Sequence, residues 1–63
     1  MYRIQSMGDG RTWDTESEYT ADDRRNAFKD YSEYCLAYAG MGVPLRLQCN
    51  HGVSGTRAWR TLR

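Results

Sequence analysis

The chain predicts an α+β fold of order β-β-α-β-β, with one amphipathic helix packed on one face of a four-stranded antiparallel sheet. Three observations predict it. Apolar and polar residues alternate over 2–7 and 11–19, on either side of Gly8-Asp9-Gly10. Apolar residues then recur at steps of three and four between Thr20 and Gly40, and clean alternation returns over 43–50, followed by a last strand over 56–63.

In the first strand Tyr2 and Ile4 share one face, with Arg3 and Gln5 on the other. Gly8 and Gly10 suit a tight turn, because glycine accepts positive φ at no steric cost. The second strand sets Trp13, Thr15, Ser17 and Tyr19 against the acids Asp14, Glu16 and Glu18. Thr20 is placed to cap the helix, and Thr20-x-x-Asp23 reads as a capping box with Asp for the usual Glu. Ala27, Phe28, Tyr31, Tyr34, Cys35 and Tyr38 form the core stripe, and Leu36 falls outside it. Gly40, Gly42 and Pro44 end the helix. Val43, Leu45, Leu47 and Cys49 face inward from the third strand, while Arg46 and Gln48 face out. A loop over 50–55 leads to the last strand, whose alternation is ambiguous. Either Ala58 and Leu62 point inward and Trp59 outward, or Trp59 faces the helix. The chain shows no internal repeat, linker or low-complexity segment.

With 63 residues, the chain makes one domain, 1–63, close to the lower size limit for unaided folding. Its apolar content is concentrated in rings: five Tyr, two Trp and one Phe. Tyrosine hydroxyls need a partner when buried, so several rings belong at the core's edge. The net charge of +1 argues against nonspecific DNA binding, yet the charge is unevenly distributed. Residues 1–33 carry five basic groups against eight acids, and residues 34–63 carry four arginines and no acid.

No signal peptide and no membrane span is read from the sequence, and two cysteines are few for a secreted scaffold, so a cytoplasmic chain with reduced thiols is expected. Metal binding is disfavoured, since Cys35 and Cys49-x-His51 lack paired ligands at short spacing. The same residues make a poor nucleophile set, because cysteines on core faces are usually inert. The glycine-rich pieces match no phosphate-cradling motif. No enzyme activity and no cofactor is therefore expected.

What remains is surface. Arg3, Gln5, Arg46 and Gln48 line the sheet face away from the helix, and Arg57, Trp59 and Arg63 join them if Leu62 points inward. Arginines around an indole suit base stacking and phosphate contact. Candidate partner-binding residues are Tyr2, Arg3, Arg46, Arg57, Trp59, Arg60 and Arg63. Asp14, Glu16 and Glu18 form a candidate acidic surface, read either as a solvated edge or as charges that occupy a partner's nucleic-acid groove.

In size and β-β-α-β-β layout the chain resembles small phage-encoded anti-CRISPR proteins, with no diagnostic motif and hence no residue to carry over. The resemblance implies an inhibitor that occupies a surface on a larger host protein or ribonucleoprotein such as a CRISPR effector, in the bacterial cytoplasm. The alternatives are a direct nucleic-acid-binding module using the Arg/Trp face, or a small assembly subunit. A monomer or weak homodimer is expected in each case.

Overall fold

In the computed structural model, residues 1–50 and 59–63 are described. The elements are β1 (Tyr2–Ser6), β2 (Asp14–Tyr19), a 3-10 turn (Ala21–Asp23), α1 (Arg24–Ala37), β3 (Leu45–Cys49) and β4 (Arg60–Thr61). The predicted β-β-α-β-β layout is what forms. All pairings are antiparallel and the strand order is β2-β1-β3-β4, so the first and third strands are central. The predicted loop over 50–55, with His51, and the residues Arg57 and Ala58 lie largely or wholly outside the described residues.

The core is small because the chain is short. Ile4, Leu47 and Cys49 are fully buried between sheet and helix, joined by Tyr2 and by Ala27. Ala27 is the buried residue of the helix, wholly enclosed against the sheet. Tyr19, Phe28, Tyr31, Tyr34 and Leu62 close the margins. The tyrosine hydroxyls find partners there, as their chemistry demands. Tyr19 donates to Asp30 Oδ2 at 2.7 Å, Tyr34 shares a 2.9 Å bond with Ser17, and Tyr31 makes a long 3.5 Å bond to the Leu45 carbonyl. Tyr2 packs edge-on against Phe28, with ring centroids 6.4 Å apart.

Three local expectations are corrected. Thr20 does not cap through its side chain; the chain enters by a 3-10 turn in which the Asp23 amide bonds the Thr20 carbonyl. Asp23 instead accepts from Asn26 at 2.9 Å. The helix stops at Ala37, and Gly40 and Gly42 take positive φ in the exit turns beyond it. Cys35, placed in the core stripe by its spacing, is exposed. It lies on the flank of α1 with Phe28, where it shares a groove with Leu36 and Arg63.

The largest departure is in β2. Ile4 pairs with Ser17 but Gln5 pairs with Thr15, so Glu16 is the extra residue of a β-bulge. Because side chains alternate with period two, one extra residue exchanges the faces beyond it. Ser17 and Tyr19 stay on the helix side, as expected, while Thr15 and Trp13 move to the open face.

Candidate nucleic-acid interface on the open sheet face

The open face is built from the outward positions of β1 and β3 and the tips of β2 and β4. Each central strand contributes an Arg-x-Gln triplet, Arg3-Ile4-Gln5 and Arg46-Leu47-Gln48. The register sets Arg3 beside Gln48 and Gln5 beside Arg46. Arg3 Nε donates to Gln48 Oε1 at 2.9 Å, and Arg46 Nε donates to Gln5 Oε1 at 2.8 Å. Each glutamine then passes its amide proton outward: Gln48 Nε2 donates to Thr61 Oγ1, and Gln5 Nε2 to Thr15 Oγ1, both at 3.1 Å. Both glutamines are 5 % exposed, so these bonds are what makes their burial tolerable.

An indole flanks each arginine. The Arg3 guanidinium carbon lies 3.8 Å from the centre of the Trp59 ring, and that of Arg46 lies 4.1 Å from the Trp13 ring. At these separations a guanidinium is attracted to the ring's electron-rich face, worth about 0.5–2 kcal/mol depending on desolvation. The edge residues come from matching Trp-x-Thr triplets, Trp13-Asp14-Thr15 and Trp59-Arg60-Thr61. Two sets, Arg3–Gln48–Thr61–Trp59 and Arg46–Gln5–Thr15–Trp13, thus repeat the same bonds about an axis through the centre of the β1–β3 pair.

The electrostatics follow from this packing. The Nε bonds of both arginines end on neutral amide oxygens, which orient a guanidinium without neutralising it. Arg46 is held below the ordinary arginine value, first by burial and then by the neighbouring Arg3 charge. Two like charges therefore share one face, on which Glu18 lies across from Arg3 by the strand pairing.

The sequence-predicted residues divide as follows. Arg3, Arg46 and Trp59 meet on the open face, and Trp59 lies outward against Arg3. Tyr2 is in the core, 6 % exposed, so it presents no anchor. Arg60 pairs with Cys49 and so shares the helix side, although it is exposed. Arg63 is placed on the helix side too, its guanidinium 5.5 Å from the Phe28 ring, and does not join the open face. Leu62 does point inward, as one of the two readings required.

The acidic row is broken by the bulge. Glu18 stays on the open face, Asp14 shares the register position of inward-facing Ser6, and Glu16 accepts the Ser6 hydroxyl. Trp13, Thr15, Thr61 and the two glutamines were not singled out from the sequence as site residues. The paired triplets Arg-x-Gln and Trp-x-Thr were the available signal. Among the described residues no cluster of His, Cys, Asp or Glu is arranged to hold a metal. No helix among them is long and apolar enough to cross a membrane.

Compared with known proteins, the chain matches no family model, no curated protein and no solved structure.

Proposed function

We propose that this protein is a non-enzymatic binding module whose open sheet face takes single-stranded nucleic acid. The observation that carries the reading is the pair of arginines, Arg3 and Arg46, each stacked on an indole and oriented by a buried glutamine. A guanidinium held flat by its Nε bond presents its remaining N–H groups to a phosphate and its plane to a base. A flat face with two such units suits an unpaired strand, whose bases are free to turn and stack, better than a closed duplex.

The test is a fluorescence-anisotropy titration with short single-stranded DNA and RNA over a range of salt. Binding to two phosphates predicts a log–log salt slope of about −1.4, from roughly −0.7 per phosphate on a single strand. Replacing both arginines by alanine removes the slope together with the affinity. Absence of binding at low salt rules the reading out.

A second reading is favoured by a different surface. Leu36 and Met41 are 77 % and 64 % exposed at and beyond the helix's C-terminal end, away from the open face. Exposed large apolar side chains of this kind suit an inhibitor that occupies a larger host nucleic-acid-processing complex, such as a CRISPR effector. That reading expects Leu36→Asp to abolish capture of a bacterial partner while leaving the anisotropy titration unchanged.

A further inference from the structure

We infer that the open face consists of two equivalent half-sites related by a local twofold axis, and that it accepts a single strand running in either direction. The inference deepens the nucleic-acid reading and rests on it. Its basis is the one-to-one correspondence of two sets of contacts. Arg3 bonds Gln48 as Arg46 bonds Gln5, Gln48 bonds Thr61 as Gln5 bonds Thr15, and Arg3 stacks on Trp59 as Arg46 stacks on Trp13. The distances agree pair by pair, 2.9 against 2.8 Å, 3.1 against 3.1 Å, and 3.8 against 4.1 Å.

The axis stands perpendicular to the sheet and passes between Ile4 and Leu47, which pair in register at its centre. A half-turn about such an axis exchanges β1 with β3 and β2 with β4, and reverses every direction lying in the sheet. A nucleic-acid strand laid across the face is a directed chain. Turned by half a revolution, it meets the same arginine, indole and hydroxyl with its 5′ and 3′ ends exchanged. The helix, which has no counterpart, lies behind the sheet and does not touch this surface. Glu18, set across from Arg3 by the register, is a group on the face with no acidic counterpart opposite Arg46 among the described residues.

This separates the protein from a directional reader, in which unlike subsites fix the polarity. It also predicts an exchange of roles between the two halves. Arg3→Ala and Arg46→Ala should each lower the salt slope by the same amount, about 0.7, because each removes one phosphate contact. Their losses of affinity should agree within a few-fold.

The deciding experiment uses the full chain and an oligothymidylate of about eight nucleotides, within the range one small fold covers. One form of the oligonucleotide carries a photo-crosslinking base at its 5′ end and the other at its 3′ end. If both orientations occur, each form crosslinks to peptides containing Trp13 and to peptides containing Trp59. Glu18→Gln should bring the two yields closer together. Crosslinking of the 5′ form at one tryptophan and the 3′ form at the other overturns the twofold inference while leaving nucleic-acid binding intact. No binding by anisotropy overturns both. Should either alanine variant fail to give the wild-type far-ultraviolet circular dichroism spectrum, Arg3→Lys and Arg46→Lys replace them. They keep the charge and lose the planar stack, and must again weaken binding equally.

Discussion

At the residue scale, the chain meets the needs of the rings at its core's edge by placing the hydroxyls of Tyr19, Tyr31 and Tyr34 where a partner stands. Tyr19 shows the consequence for pH. Its hydroxyl is pushed up to about 12 from an ordinary 10.0, by burial first and by its hydrogen bond to Asp30 second. The folded state thus holds the proton more tightly than the unfolded chain. The stability this contributes is whole below pH 10 and is lost as pH rises from 10 to 12. Tyr19→Phe keeps the ring and removes the proton, so chemical denaturation across that window should show a shallower loss of stability than wild type. An unchanged slope would place the Tyr19 hydroxyl in water. Tyr31, also raised by burial and then by its contact with Cys35, leaves part of the alkaline slope in place. The stripe of tyrosines on α1 was legible from spacing. Their particular partners were not, because Ser17 is brought to Tyr34 and the Leu45 carbonyl to Tyr31 only by the tertiary fold.

At the scale of elements, one residue decides which side chains face the solvent. Alternation over 11–19 is a sound reading of β2 from Ser17 to Tyr19, and the bulge at Glu16 that upsets it before that point leaves no mark in composition. A period of two therefore assigned Trp13 and Thr15 to the core when they belong to the open face. The helix shows the complementary case. Its stripe was read correctly from Ala27 to Tyr34, but periodicity carries no information about how far the sheet extends beneath it. Cys35 faces the side where β4 is only two residues long, and so it is exposed.

The bulge makes a specific prediction about chain length. Deleting Glu16 leaves Ser17 opposite Ile4 and Thr15 opposite Gln5, so pairing continues with every face retained. The deletion should cost about 1 kcal/mol, for the lost acceptor of the buried Ser6 hydroxyl. Deleting Ser17 instead draws the Glu16 carboxylate to the position opposite Ile4, against Tyr34, where a charge has no partner. Urea denaturation should find the first variant folded and the second severely destabilised. Equal losses in the two would mean that Glu16 is not the extra residue.

At the scale of the molecule, the pair that fills the core also stands on the axis of the open face. Ile4 and Leu47 are both wholly buried and directly paired, and their neighbours in sequence are Arg3, Gln5, Arg46 and Gln48. Every contact of the proposed interface is thus borne on the outer side of the two strands whose inner side carries the core. Ile4→Ala removes about 2–5 kcal/mol, while a domain of this size holds a net stability of only about 3–5 kcal/mol. The variant should therefore be largely unfolded at 25 °C, losing the near-ultraviolet dichroism of Trp13 and Trp59 together. Arg3→Ala, which empties no core volume, should keep a cooperative urea transition and most of that signal, with the loss confined to the Trp59 contribution. If Ile4→Ala unfolds within a few tenths of a molar of the wild-type midpoint, the core does not rest on the β1–β3 pair. The two half-sites would then have no common support. Simultaneous loss of both tryptophan signals on Ile4→Ala, and loss of one on Arg3→Ala, is the result that a shared central pair requires.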